Sequence, residues 1–258
     1  MTDVDAVARE ETRLIPRTDI DLDSALPGAA TFWMPARDEI HDEGIGFFRG
    51  VWAIFDVPLS EAAVVVADER AAAAAVDAVA TDAESFEDFA RVIEGHNPDF
   101  PSEEPEDEAD MATLAEHGDV DSVSLCGLDL GVAGLTYALA ATGCVPAASC
   151  RSHAERSWSD RPVVLAAIDR EHAQWLQPLV QRSSCGFGID DERPEFLVIH
   201  ARSITEMMDL AAAILAKAEQ DPPPPLRWGP SSDDDDPMVD DEPQESVTEV
   251  DGQQSLFD

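Results

Sequence analysis

Lysine is almost missing from this sequence, since Lys217 is the only one in 258 residues. Asp and Glu number 55 against 16 Lys and Arg, so the formal net charge is −39. Nucleic-acid phosphates require basic surfaces, and this balance argues against strong direct nucleic-acid binding by the chain as a whole. A single lysine also excludes most lysine-dependent nuclease and nucleotide sites. Gly131 and Gly134 lack the spacing of a dinucleotide-binding loop, and the sequence has no phosphate-binding loop.

Targeting and membrane signals are missing as well. Residues 1–5 are acidic where a secretory signal peptide would be basic. Residues 130–150 carry no charge and reach the length of a membrane span, but glycine, proline and threonine make them only mildly apolar. We expect a helix, a turn and a strand there, in a cytoplasmic protein without membrane attachment. The four cysteines, at positions 126, 144, 150 and 185, suit reduced thiols in a cytosolic core.

The composition changes abruptly at residue 221. Residues 222–225 are four prolines, and residues 221–258 contain twelve acidic residues against one basic residue, Arg227. Such a segment cannot bury enough apolar surface to offset its loss of conformational entropy, and its charges repel one another. We therefore expect residues 221–258 to form a disordered acidic tail, extended by the polyproline preference of its prolines.

A short apolar motif follows within this acidic tail. Gln253, Leu256 and Phe257 form the pattern Gln-x-x-Leu-Phe, which resembles the peptide by which many bacterial replication and repair proteins dock on the DNA sliding clamp. The resemblance implies that these three residues bind the clamp and that the protein is an accessory factor of bacterial DNA replication or repair. A different receptor for C-terminal peptides, or a chance match, is the alternative.

The body divides into an N-terminal α+β region (1–97), an acidic linker (98–117) and a second α+β domain (118–220). In the first region, the aromatic run 45–55 predicts a strand or hairpin. Residues 62–67 predict a second strand, with the beginning of a helix as the alternative. Alanine-rich residues 69–80 predict a helix, and the capping-box spacing at 81–84 predicts another that runs to Ile93. Three prolines and seven carboxylates in residues 98–110 indicate the linker.

Residues 118–220 are the clearest globular unit in the sequence. Their predicted order, β-α-β-β-α-(β)-β-α, resembles a ferredoxin-like α+β sandwich, an antiparallel sheet with helices on one face. Gly143 is expected to end the first helix, Asp169 to cap the second, and a capping box at 203–206 to begin the third. The predicted strands are 120–125, 145–150, 163–168 and 196–201, and the helices are 131–142, 170–182 and 203–218.

The best local candidate for chemistry is the turn Ser149–His153, which follows a predicted strand. Its pattern, Ser-Cys-x-x-His, resembles small α+β domains with a Ser-Cys-x-Gly-His or Ser-Cys-Ser-Gly turn, including the wybutosine-synthesis methyltransferase family. Ser152 stands here in place of the glycine, and no cofactor motif accompanies the turn. The resemblance covers about forty residues and marks this turn as the place to look for a site.

Three interpretations of this turn stay open. Thiolates and imidazole suit Zn²⁺, so the residues Cys144, Cys150, His153 and Cys185 are a candidate zinc set. The turn could instead hold an anion pocket lined by Arg151, His153 and Arg156, or a Cys150 nucleophile with His153 as its base. In the third interpretation the cysteines are small core residues and His153 caps a loop.

These observations leave three hypotheses for the function. The first is a clamp-docking accessory protein, and the second is a small enzyme or a ligand- or metal-binding protein with its site at Cys150 and His153. The third is an acidic DNA mimic that competes for basic protein surfaces. The sequence identifies no substrate or reaction.

Overall fold

The computed structural model describes residues 15–40, 45–48, 51–98, 105–154 and 157–230. Their architecture is α+β, as predicted. The helices are α1 (Leu59–Val79), α2 (Ala83–Gly95), α3 (Pro105–Ala115), α4 (Ala133–Ala141), α5 (Arg170–Arg182) and α6 (Ile204–Gln220). The strands are β1 (Ile45–Phe48), β2 (Val51–Ile54), β3 (Val145–Cys150), β4 (Val163–Ala167), β5 (Gly186–Ile189) and β6 (Leu197–His200).

The main sheet has four antiparallel strands in the order β3-β4-β6-β5. The segment β4-α5-β5-β6 forms a split β-α-β unit, because β6 lies between β4 and β5 in the sheet. The register of β3 against β4 shifts between Pro146 and Ala148. The predicted hairpin is confirmed as the separate antiparallel pair of β1 and β2.

Apolar side chains cover both faces of the sheet. Successive residues of a strand point to opposite faces, so Val164 and Ala166 of β4 pack against α4, α5 and α6. Leu165 and Ala167 face the other side, where extended segments cover the sheet instead of helices. The residues from these segments include Met34, Ile40, Phe55, Leu226 and Trp228. The prediction of helices on one face is confirmed.

The strand predicted first for residues 62–67 is wrong, and the alternative of a helix is confirmed, because these residues belong to the long helix α1. Ala62, Val65, Val66, Ala72 and Val76 are buried at helical spacing, and the alanines around them have high helix propensity. A run of three valines favours a strand locally, but the periodicity over the longer segment decides.

The N-terminal and C-terminal regions share one core, which the predicted division at residue 98 misses. Helix α1 packs against α4 and α6. One apolar cluster joins Ala62 and Val76 of α1 to Tyr137 of α4 and Met208 of α6. The predicted linker also contains a helix, α3, whose Leu114 is fully buried in this cluster. Apolar burial by one face of α3 thus outweighs its acidic composition.

The predicted strand at 120–125 is also wrong, because this segment has a turn at 121–122 and no strand. Val120, Val123 and Leu125 are buried nonetheless, and the Val123 N–H bonds the Val120 carbonyl at 3.1 Å. The segment packs its apolar residues into the helical cluster instead of pairing with the sheet. The apolar residues of this segment are therefore buried by packing against helices, and not by pairing in the sheet as predicted.

The helix termini follow the predicted signals in part. Asp169 caps α5 by accepting the His172 N–H at 2.8 Å, and Gly143 has the positive φ of 86° expected after α4. The cap of α2 is Asp82, one residue later than predicted, and Ser85 completes the box. Among the residues that the structure describes, the Ser203 hydroxyl caps no N–H of α6.

Residues 221–230 belong to the folded body, which corrects the predicted start of the disordered tail. The Pro224 carbonyl lies 2.9 Å from Nε2 of the buried His172, and Gly229 donates its N–H to the Pro35 carbonyl at 2.8 Å. Trp228 packs edge-on against Phe55, with ring centroids 5.8 Å apart. Prolines have a fixed φ and no N–H to satisfy, so this run lies along the body at little entropic cost. The rest of the predicted tail, 231–258, lies outside the described residues.

Residues 130–150 form α4, a turn and β3, as expected. Within the described ranges, no helix combines the length and the apolar character needed to cross a membrane.

Glu69 of α1 is an acidic group in the shared core. It is fully buried, and its Oε1 accepts the Gly131 N–H at 2.8 Å. Its other oxygen faces the beginning of α4, since a Cβ on Gly134 would lie 2.5 Å from Oε2. Burial raises the pKa of Glu69 to about 7, although hydrogen bonds from the α4 N-terminus oppose this rise. Glu69 therefore places a carboxyl group, ionised in part near neutral pH, at a helix N-terminus that favours negative charge.

We predict that Glu69→Gln raises the free energy of unfolding at pH 8. The folded-state pKa exceeds the ordinary 4.5, so the wild-type protein loses stability as the pH rises from about 4.5 to about 7. Glutamine avoids the buried charge and still accepts the Gly131 N–H. We expect a gain of about 2–3 kcal/mol at pH 8 that shrinks toward pH 5, measured by urea denaturation.

The matched control is Glu61→Gln, because Glu61 lies exposed on the same helix. Its effect should stay within about 0.5 kcal/mol at every pH. A Glu69→Gln protein that is less stable than wild type at pH 8 would show that the ionised carboxylate stabilises α4.

Candidate functional site

Five charged or ionisable side chains meet at the turn that follows β3. Glu87 and Glu94 lie on one face of α2, two helical turns apart, and Asp129 precedes α4. Arg151 and His153 follow the last residue of β3. The turn was the predicted location, but the three carboxylates were not predicted members of the site.

Arg151 is the centre of this cluster. Its side chain is only 2% exposed. The two terminal nitrogens donate to the two oxygens of Glu87, at 2.7 and 2.9 Å, and Nε donates to Glu94. Paired hydrogen bonds of this kind are the strongest that an arginine makes with a carboxylate. Arg151 therefore fixes α2 against the end of β3.

The two glutamates respond differently to this shared partner. Burial raises the pKa of Glu87, but the hydrogen bonds and charge of Arg151 outweigh burial and hold this pKa below its usual value. Burial dominates for Glu94, where the like charge of Asp129 adds to it, so the pKa of Glu94 is raised. Burial alone would lower the pKa of Arg151, but its two carboxylate partners raise it. The guanidinium therefore stays charged and pairs chiefly with Glu87.

His153 lies between two carboxylates. Nδ1 is 3.2 Å from Oε1 of Glu87, and Nε2 is 2.9 Å from Oδ2 of Asp129. Oδ2 of Asp129 also accepts the backbone N–H of Arg151 at 3.1 Å. A neutral imidazole has one N–H and can donate to only one of the two carboxylates. The second nitrogen then needs either a proton or a cation between itself and its carboxylate.

The turn brings Cys150 to the same place. The backbone of Ser152, two residues later, has a positive φ of 73°, a left-handed conformation that is uncommon for residues other than glycine. The Ser152 N–H donates to the sulfur of Cys150 at 3.4 Å, and the Ser157 hydroxyl lies 3.2 Å from the same sulfur. The glycine of the Ser-Cys-x-Gly-His pattern would adopt this φ without strain. The strained turn directs both Cys150 and His153 toward Asp129.

Asp129, Cys150 and His153 form a possible metal-binding triad. Each offers one ligand atom, and these atoms all lie within 4.8 Å of one another. Carboxylate oxygen, thiolate sulfur and imidazole nitrogen are all established zinc ligands. The set has the right chemistry for a divalent transition metal.

Two of the four residues in the predicted zinc set, Cys144 and Cys185, lie outside this triad, and Asp129 was not predicted. Cys144 and Cys185 are buried in the apolar cluster between the sheet and its helices. Burial raises the pKa of both thiols, and the Cys185 thiol donates to the Glu206 carbonyl at 3.4 Å. Cys144 and Cys185 are therefore core residues. Within the described part of the chain, Cys150 and His153 belong to the triad, whereas Cys144 and Cys185 do not.

The predicted anion pocket also needs correction. Both carboxylate partners occupy the guanidinium of Arg151, so it has no edge free for a bound anion. Its neighbour His153 faces carboxylates as well. The third predicted residue, Arg156, lies outside the described residues.

Of the three carboxylates that were not predicted, Glu87 and Glu94 have a signal in the sequence and Asp129 has none. In α2, Glu87 and Glu94 are seven residues apart and follow directly on buried Phe86 and Ile93. Acidic residues on the apolar face of a helix need a buried partner. The abundance of carboxylates hides this signal, and Asp129 lies in a loop without any periodicity.

A cavity borders this site. It has a volume of about 380 Å³ and includes Asp129, Ser149 and Thr136 among its lining residues. Pro146 and Ala148, which flank the register shift in β3, line it too. The cavity is large enough for a small organic molecule beside the carboxylate of Asp129.

We predict that Arg151→Met strongly destabilises the fold. The substitution leaves two buried carboxylates without their cation, and breaking a buried pair in this way costs about 3–5 kcal/mol. The loss should be larger at pH 8 than at pH 5, because protonation at lower pH removes the unpaired charges. Urea denaturation at both pH values measures it.

The control is Arg91→Met on α2, where both partners of the ion pair with Asp88 are more than half exposed. Exposed pairs contribute about 0–1 kcal/mol, so this variant should stay near wild type. Equal stability losses in the two variants would contradict the central role of Arg151.

Comparison of the chain with family models, with curated proteins and with solved structures finds no match. The likeness of the turn to methyltransferase domains and the likeness of the terminal peptide to clamp-binding motifs therefore stay predictions. The geometry of the site joins a buried Arg151 network to a possible metal-binding triad at Asp129, Cys150 and His153.

Proposed function

We propose that this chain is an accessory protein of bacterial DNA replication or repair that docks on the DNA sliding clamp. The observation that carries the proposal is the pattern Gln253-x-x-Leu256-Phe257. These residues lie outside the described residues, so the support comes from the sequence and from the way in which the folded body ends.

The chemistry of the peptide suits a shallow apolar pocket on a partner. Leu256 and Phe257 each contribute about 1.5–3 kcal/mol when fully buried. The amide of Gln253 both donates and accepts hydrogen bonds and so fixes the register of the peptide. Ordering the peptide offsets part of this gain, and we expect a dissociation constant on the order of micromolar.

The folded body provides an anchor for such a peptide. The segment before Pro230 is held by the Pro224–His172 and Gly229–Pro35 hydrogen bonds. Gln253 lies 23 residues beyond Pro230. A chain of this length spans at most about 80 Å and about 25 Å on average if it behaves as a flexible coil. A weakly bound tether of this reach raises the concentration of the body near clamp-loaded DNA.

We predict that the full-length protein binds a purified bacterial sliding clamp and that Leu256→Ala with Phe257→Ala lowers the affinity at least tenfold. The two apolar side chains carry most of the binding free energy in this proposal. Isothermal titration calorimetry measures the affinity, and circular dichroism should show an unchanged body.

The matched control replaces Gln254 and Ser255 by alanine, because the middle positions of such peptides are variable. Binding that survives the loss of Leu256 and Phe257 but falls steeply with salt would sink the clamp proposal. That outcome would support an acidic mimic of DNA, in which the carboxylates of the tail compete for basic protein surfaces.

A second candidate function is the binding of a metal ion or small ligand at the turn around Cys150 and His153. It is favoured by one specific observation, the convergence of Asp129, Cys150 and His153 within 4.8 Å. Zn²⁺ is the metal that a thiolate, an imidazole and a carboxylate suit best. Whether the protein is an enzyme depends on what this site holds.

We predict that the full-length protein, loaded with Zn²⁺ and then desalted, retains one zinc ion per chain and that Cys150→Ser loses it. Atomic emission measures the metal content. The exposed Cys126 is the matched control, because it lies outside the triad. Equal zinc content in Cys150→Ser and Cys126→Ser would place the metal elsewhere.

A further inference from the structure

We infer that the Asp129, Cys150 and His153 triad holds its metal with three protein ligands and keeps a fourth position for an exchangeable water or small neutral donor. The inference rests on the second candidate function above. Metal sites with four protein ligands are closed and structural, whereas sites with three protein ligands leave a position for chemistry or ligand exchange. The inference places this site in the second class.

The described surroundings offer no further strong ligand. Glu87 contacts His153 of the triad, but Arg151 binds both of its oxygens. The Ser157 hydroxyl near Cys150 donates instead to the Ser159 carbonyl. Within the described ranges, no other group of three or more Cys, His, Asp or Glu side chains has this geometry. Among the residues that the structure describes, the site therefore has these three ligands.

The open position faces solvent. Cys150 forms the base of the site and is 2% exposed. The side chains of His153 and Asp129 are 25% and 26% exposed, and Asp129 also lines the neighbouring cavity of about 380 Å³. The partly exposed side chains of His153 and Asp129 would therefore give a metal seated on Cys150 access to water.

Glu87 acts as the positioning residue. Its Oε1 lies 3.2 Å from Nδ1 of His153. With a metal on Nε2, His153 would carry its proton on Nδ1 and donate it to this oxygen, and Nε2 would present its lone pair to the metal. A carboxylate behind a metal-binding histidine fixes the ring and raises its basicity. The two hydrogen bonds from Arg151 hold Glu87 in place. The otherwise unfavourable contact of Nε2 with Oδ2 of Asp129 becomes a pair of ligands to one cation.

Charge decides what the fourth position takes. A thiolate and a carboxylate already neutralise a divalent cation. Two further carboxyl groups, those of Glu87 and Glu94, lie nearby and share the single guanidinium of Arg151. A further anion would enter a negative field, whereas water or another neutral donor would not.

The experiment replaces Zn²⁺ by Co²⁺ in the full-length protein and follows its visible and near-ultraviolet absorption. A sulfur-to-cobalt band should be present in wild type and in Cys126→Ser and lost in Cys150→Ser. Added imidazole should shift the visible bands with saturation, and azide should do so only at much higher concentration. Glu87→Gln should weaken Co²⁺ binding about tenfold to a hundredfold, with the body still folded by circular dichroism.

Two results overturn the inference. Visible bands that imidazole leaves unchanged would show a closed four-ligand site. Glu155 lies outside the described residues and is the nearest other carboxylate in the sequence, so a change of the bands in Glu155→Gln would identify it as the fourth ligand. Absence of the sulfur-to-cobalt band in wild type would instead remove the second candidate function itself, whereas the clamp proposal is tested independently of any metal.

Discussion

The buried guanidinium of Arg151 is the interaction on which the rest of the structure depends. It ties Glu87 and Glu94 of α2 to the end of β3, and thereby joins the helical part of the molecule to its sheet. A buried arginine with two carboxylates contributes little net free energy compared with an apolar core, but it allows only one arrangement of its partners. The same contacts orient His153 through Glu87 and so position the triad as a by-product of folding.

The parts of the fold that could be predicted from the sequence are those with a local signal. Helix α5 has an apolar periodicity and a capping Asp169, and strand β4 is a continuous apolar run after Pro162. Residues 62–67 have a strand-like composition, but the helical periodicity and the alanines of the longer segment place them in α1. The predicted division at residue 98 failed because contacts between distant residues join α1 to α4 and α6. In the site, Cys150 and His153 were predicted because they are rare and close together in sequence. Glu87 was not, because 64 residues separate it from Arg151 and carboxylates are everywhere in this chain.

The two proposed functions concern different parts of the protein and need not exclude each other. The clamp proposal depends on three residues beyond Pro230, whereas the metal proposal depends on the turn after β3. A protein that a peptide tethers to the replication machinery can carry its own site in the body. The net charge of −39 on the whole chain would then oppose non-specific binding to DNA, and the location of the protein would depend on the peptide.

The segment from Pro222 to Pro230 sets a limit on how the protein can be shortened. Leu226 and Trp228 lie next to Phe55 on the sheet face opposite α4, α5 and α6, and a Cβ on Gly229 would come within 2.3 Å of the Met34 carbonyl. Removal of this segment together with the acidic residues would expose an apolar sheet surface to water and to other copies of the chain. Proteolytic removal of the acidic residues would therefore leave a soluble body only if the cut falls after Pro230.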